Sequence, residues 1–310
     1  MALAVNLTTN PRNAEIMATD EQHEQLINRA FQYRDTLLFK VCRNIAQFYP
    51  NSLQTLERHL DRYIELATAS EEHTDLLLEL LGTMVYIPTD AWTEKVEEFG
   101  IIEFLHNHLV NAYAEDDILL ECVMLVGTIC RNDQIALVIA QSYLIKLLQD
   151  LLGSKQEDDE MVQQILNTFF KFLFFAPTRD MVLHQTQMVS IVLELLSDKN
   201  PNIRVLVNAI LDYVQIHDDN WKQEIKAKRF QVHNQMYLQV MEEYDRTNPA
   251  PELDPMYDMY YYDLQQQQQQ NYGNYDGELE DDMDGFDSDE NLNGLYVEGL
   301  ADRIWDDNDE

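Results

Sequence analysis

The chain has 310 residues, 56 of them acidic and 21 basic, for a formal net charge of −35. A surface this acidic repels the phosphate backbone of nucleic acids, which excludes nucleic-acid binding as a main role and favours protein partners. The charge divides almost evenly, since residues 247–310 hold 19 acids and a single base, Arg303, a net −18 that leaves −17 for the rest.

Taken from its start, the chain opens on Met1-Ala-Leu-Ala-Val-Asn-Leu7, too short and without the basic leader of a signal peptide. It contains no apolar run of about 18 residues that would span a bilayer, so no membrane insertion is expected. Its organising pattern is a repeat. Short apolar helices recur with a small or amide residue at the centre, at Asn6, Asn44, Gly82, Gly127, Asn167 and Asn208. The successive spacings are 38, 38, 45, 40 and 41 residues, the period of armadillo and HEAT arrays.

Between two anchors the pattern resolves into three helices. In one unit they fall near Gln134–Gln141, over Ser142–Leu152 up to Gly153, and from the acidic run Gln156–Glu160 to about Phe174. Carboxylates at that third start suit the helix dipole and cap free N–H groups. The next unit repeats the plan over Thr178–Gln185, Met188–Leu196 and Asn202–Gln215. Three helices per unit favour the armadillo plan over the two-helix HEAT plan. Each unit's apolar face is too wide to bury alone, so stacking must bury it as one core. The expected fold is therefore all-α, an armadillo-repeat superhelical solenoid over residues 1–217. Its first repeat is incomplete, because the chain begins within a third helix, as the C-terminal part of a longer array or a shortened form of one would. A helix over 218–246 carrying Trp221 and Phe230 caps the last repeat and is a second docking candidate. From 247 on, Pro249-Ala-Pro251, Tyr260–Tyr262, Gln265–Gln270 and acidic Gly/Asn stretches are too polar to build a core, and a disordered acidic tail is expected.

Catalytic signatures are missing. There is no phosphate-binding glycine loop, no nucleophile elbow and no zinc-protease pair. His106 and His108 point to different sides of a helix. Asp289-x-Asn291-x-Asn293-Gly294 begins like an EF-hand loop, but its twelfth position is Leu300 where a bidentate Glu is needed. Cys42, Cys122 and Cys130 lie in apolar helical patterns with no C-x-x-C pair, and read as free thiols of a reducing compartment. Neither an enzyme nor a cofactor or metal is expected.

The third helices of such an array line its groove. Asn offers both a donor and an acceptor to an extended peptide, and residues one turn away share its face. The candidate binding stripe is Asn6, Lys40, Asn44, Phe48, Tyr86, Arg131, Asn167, Lys171, Arg204 and Asn208, with exposed side chains and four bases in an otherwise acidic body.

The sequence resembles the kinesin-associated protein family over about residues 2–244, matching the C-terminal half of that longer protein. The resemblance is carried by Leu3-Ala-Val-Asn-Leu7 with Arg12-Asn-Ala14, Arg43-Asn-Ile-Ala-Gln47, Ala114-Glu-Asp-Asp117 and Gln156-Glu-Asp-Asp-Glu160. It continues through Thr178-Arg-Asp180, Asp198-Lys-Asn200 with Ile203-Arg204, and Trp221 through Phe230 to His233-Asn234. It implies a non-motor accessory subunit of heterotrimeric kinesin-2 that joins the C-terminal tails of two heavy chains and connects them to cargo proteins. Its implied place is cytoplasmic and microtubule-associated, in a cilium and its axoneme or in an axon. Two other armadillo classes compete. Nuclear import receptors set Trp four residues before the anchor Asn, where this chain has Lys40, Gln163 and Arg204. A catenin-like scaffold needs a longer basic groove.

Overall fold

The computed structural model describes residues 2–17, 20–48, 52–70, 73–110 and 115–235, together with Tyr237, Val240, Met241 and Arg246. The acidic stretch from 247 onward lies outside the described residues. Two compact units are present, Met1–Phe230 and Gln231–Glu310. In the second, the described residues are helical apart from a turn at Asn234 and belong to the end of the last helix or lie beyond it.

The first unit is built of helices alone, with no strand among the described residues. A single helix, α1 (Ala2–Thr8), is followed by five triplets. They are α2 (Pro11–Met17), α3 (Asp20–Tyr33) and α4 (Thr36–Phe48); α5 (Leu53–Arg58), α6 (Leu60–Thr68) and α7 (Thr74–Met84); and α8 (Trp92–Glu98), α9 (Ile101–Val110) and α10 (Asp116–Ile129). Then come α11 (Asp133–Gln141), α12 (Leu144–Ser154) and α13 (Asp159–Leu173), followed by α14 (Ala176–His184), α15 (Met188–Glu194) with a 3-10 turn at Leu195–Ser197, and α16 (Pro201–His217). The last helix is α17 (Asp219–His233).

Local chemistry sets these boundaries. Asn132, Asp158 and Asn200 each sit just before a helix and accept from its first free N–H groups, at 3.0 Å from Ile135, 3.0 Å from Met161 and 2.9 Å from Asn202. Pro201 fills the first position of α16, where no N–H partner exists to be lost. Gly100, at φ +62°, makes the left-handed step between α8 and α9. The acidic run before α13 is thus half cap and half first turn: Asp158 caps, and Asp159 and Glu160 lie against the positive helix end. The expected start at Gln156 moves three residues inward for that reason. Likewise α12 continues one residue past Gly153 before stopping.

The third helices form a ladder. Helix α1 packs on α4, α4 on α7, α7 on α10, α10 on α13 and α13 on α16. The core lies between this ladder and the outer helices. On α13, Met161, Ile165, Phe169, Phe172 and Leu173 are all buried at helical spacing. Threonine hydroxyls tie adjacent rungs, Thr128 donating to Val85 O at 3.0 Å and Thr168 to Val123 O at 3.1 Å. All three cysteines are buried and free.

Candidate functional site

The ladder's middle rungs meet around two bare backbones. Gly82 sits on α7, and a Cβ built there would come within 2.5 Å of the Arg43 guanidinium. Arg43, on α4, therefore lies across α7 in the space that a side chain would fill. It reaches two carboxylates. One is Glu79 on α7, 3.8 Å from Arg43 Nη1, and the other is Glu121 on α10, which accepts a hydrogen bond from Nη2. Lys40 adds a second cation to Glu79 at 3.3 Å. Both glutamates are only 3% exposed, and each keeps one buried carboxylate oxygen with no hydrogen-bond donor among the described residues.

Burial dominates the electrostatics. Loss of water pushes the Glu121 carboxyl up to about 7 against the opposing pull of Arg43, with Glu79 and Glu160 adding to the rise. Burial also raises the Tyr86 hydroxyl, which feels the same Arg43 and Glu121. Gly127 is the second bare backbone. A Cβ there would meet Thr168 Oγ1 at 2.9 Å and Lys171 Cδ at 3.4 Å. The stem of Lys171, from α13, so lies on the backbone of α10. Its side chain reaches solvent, yet crowding around the ammonium and then the charge of Arg131 lower its pKa. The two observations agree for a recess, where water touches one side of a group and protein surrounds the others.

The expected stripe divides accordingly. Asn6 is exposed on α1, and Phe48 and Tyr86 are half-buried. Asn44 departs from the exposure expected of it: it is buried and its amide donates to Val5 O at 3.2 Å and Thr8 Oγ1 at 3.0 Å. It ties α4 to α1, because an amide at the point where two helices nearly touch finds its partners across the contact. Lys40 is held by Glu79, and Arg131 by Asp90 at 3.7 Å. Arg204 donates to the carbonyls of Asp198 and Lys199 at 2.6 and 3.1 Å, back toward the start of its own helix. Asn208 donates to Arg204 O, and its own carbonyl accepts from Arg229 of α17 at 3.1 Å. Asn167 and Lys171, one turn apart on α13, have no side-chain hydrogen bond or ion pair among the described residues.

Helix α17 is fixed at both ends of its first-unit part. Trp221 Nε1 donates to Leu183 O at 3.2 Å, and Arg229 pairs with Asp212 at 2.7 Å. Ile225 is buried between them, whereas Phe230 is 65% exposed.

A family model described as kinesin-associated protein (KAP) matches residues 1–273, most of the chain. The chain belongs to the kinesin-associated protein family. Its role as a member is that of a kinesin-associated adaptor, and its family and fold are those of a non-enzymatic scaffold. Among solved structures, this KAP-family chain is similar to a designed armadillo repeat protein in complex with the peptide (KR)4, at 16% identity and a TM-score of 0.54 over 69% of this chain and 90% of that one. A second designed armadillo repeat protein matches at 14% identity and a TM-score of 0.55, over 68% and 90% of the two chains. An engineered protein matches at 13% identity and a TM-score of 0.55, over 68% and 87%. These likenesses show the fold, which is armadillo. No single helix among the described residues is long and apolar enough to cross a membrane.

Sequence reasoning passed over Arg43, Glu79 and Glu121 in this KAP-family chain. The available signal was their setting: two glutamates inside the apolar faces of α7 and α10, near the two anchors that are glycine rather than asparagine. A glycine in a helix interior costs about 1 kcal/mol, so its presence there signals a close approach.

Proposed function

We propose that the chain serves as an accessory subunit of a kinesin-2 motor. It binds the C-terminal tails of the heavy chains and links them to cargo proteins for microtubule-based transport, including transport within cilia. The family match over residues 1–273 carries this reading. The ladder of third helices supplies the surface, with Asn167 and Lys171 offering side chains that no other described residue engages. Helix α17, with Trp221 and Phe230, is a second docking element. The role puts the protein in the cytoplasm on microtubules, in a cilium and its axoneme or in an axon.

The test is capture of the full chain by the two heavy-chain tails, presented together, with crosslinking and mass spectrometry to map the contacts. Crosslinks from both tails to α7, α10, α13 or α17 support the proposal. Failure of the tails to capture the chain at micromolar concentration would refute it.

A further inference from the structure

The rungs α10, α13 and α16 place two unlike groups side by side. On one side are two cations. Lys171 has no carboxylate partner among the described residues, and Arg131 has only Asp90, 3.7 Å from its Nε and 91% exposed. Every other described pairing on the ladder face is closer or more buried: Glu79 holds Lys40 at 3.3 Å and Glu121 holds Arg43. In a body of net −17, two neighbouring bases without a buried acid between them are an exception. The stem of Lys171 is laid against bare Gly127, and the side chain reaches solvent.

On the other side is an aromatic rung. Phe170 stands on α13 and Phe174 is the capping residue just past its end, and Tyr213 faces them from α16. Their centroids are 5.1 Å apart for Phe170 and Phe174, 6.3 Å for Phe170 and Tyr213, and 5.1 Å for Phe174 and Tyr213, all edge-on. None of the three is fully buried. Asn167, Phe170 and Lys171 of α13 and its C-cap Phe174, which keeps helical backbone angles, fall at helical spacings of three and four on one face. An amide and an ammonium without a side-chain partner among the described residues thus adjoin a half-open aromatic patch.

We infer that this rung receives an extended segment of a partner protein carrying a carboxylate and, two positions away, an aromatic side chain. The carboxylate takes the place between Lys171 and Arg131. The ring packs on Phe170, Phe174 and Tyr213, and the peptide backbone between them pairs with the Asn167 amide. Packed helices lie about 8–10 Å apart, and alternate side chains of an extended chain share a face and lie about 6.6–7 Å apart. The inference rests on the reading of the ladder as a docking face and narrows it to one rung and one chemistry.

The probes are fluorescein-labelled peptides with Glu-Ser-Phe at the centre, and the reverse order Phe-Ser-Glu, read by anisotropy against the full chain. Exchange of the peptide's Glu for Gln, or of its Phe for Ala, should weaken binding. Charge-assisted hydrogen bonds set the expected scale, a loss of about tenfold or more for Lys171→Glu. Lys171→Met leaves the stem on Gly127 and removes only the charge, so it should lose binding while the circular dichroism melt is kept. Phe174→Ser should do the same from the aromatic side, and Lys146→Glu on α12 should leave affinity unchanged. Binding of both peptides that is indifferent to Lys171→Met and to Phe174→Ser, or lost equally in Lys146→Glu, overturns the inference. The heavy-chain tails are tested in parallel. Tails captured with peptides indifferent to Lys171 would sink this site and leave the adaptor reading standing. Peptides bound with the stated dependence, with tails not captured, would do the reverse.

Discussion

Removing the Arg43 guanidinium is the sharpest probe of the ladder. Arg43→Met keeps an unbranched stem over Gly82 and leaves Glu79 with Lys40, but it takes from Glu121 its cationic partner. Breaking a buried pair on one side costs about 3–5 kcal/mol when the stranded charge stays ionised. Glu121 has a partial escape, because its carboxyl already titrates at about 7 and takes up a proton when the cation goes. The expected loss is therefore about 2–3 kcal/mol at pH 8 and clearly smaller at pH 5. The double variant Arg43→Met/Glu121→Leu should recover most of it, since the buried charge leaves with its partner. The wild-type pH dependence has a definite sign. The folded chain holds the Glu121 proton more tightly than the unfolded chain, whose carboxyl sits at its ordinary value of 4.5. This group therefore costs nothing below that value, and its cost grows as pH rises through the interval to about 7. At about 1.4 kcal/mol per unit the full cost is on the order of 3 kcal/mol. Urea unfolding at pH 5 and pH 8 for wild type and Glu121→Gln measures it: the amide variant should show less loss between the two pH values. An equal slope in both proteins, or an Arg43→Met cost below about 0.5 kcal/mol at pH 8, the range of an ordinary surface change, would refute the reasoning.

Two glycines should respond oppositely to alanine. Gly153→Ala meets open space and should raise stability by about 0.5–1 kcal/mol through helix propensity. Gly82→Ala gains the same propensity but drives the Arg43 guanidinium from its seat, and should lower stability by about 1–2 kcal/mol net; thermal melts of both variants check the signs. Burial pushes the Cys42 and Cys130 thiols up to about 12 and raises Cys122 further. A thiol-reactive dye should therefore label none of them in native buffer at pH 8 and all of them in denaturant, and native labelling of any of the three would show that its helix opens.

The repeat was legible in the sequence because close packing of the third helices demands small or amide residues at one point per turn of the array. That constraint leaves its mark at Asn44, Gly82 and Gly127, whereas Asn167 is half-buried and Asn208 exposed. What those side chains touch was not legible. Asn44 looks outward or inward depending on how near α1 comes, and a sequence period carries no such distance. The buried glutamates were hidden for a related reason. A charge inside an apolar helix reads as a solvated position unless its partner is known, and Arg43 lies 78 residues before Glu121. Of the four bases expected on the stripe, Lys40, Arg131 and Arg204 each turn to a partner within the chain. Lys171 has no such partner among the described residues, and no property of its immediate neighbours in sequence distinguishes it from the other three.

Arrays of this kind are commonly treated as one-dimensional lattices in which each unit feels only the next. Arg43 departs from that rule. Starting on α4, it passes over α7 and ends on α10, so it couples units that are second neighbours. In lattice terms this adds a longer-range interaction, and the consequence is a change in where the array can break. A domain wall between folded and unfolded repeats cannot sit on either side of α7 without also losing the Arg43–Glu121 contact. Fraying from the α1 end should thus halt before α4, whose loss alone breaks that contact, and hydrogen exchange should show α4 better protected than a nearest-neighbour chain predicts.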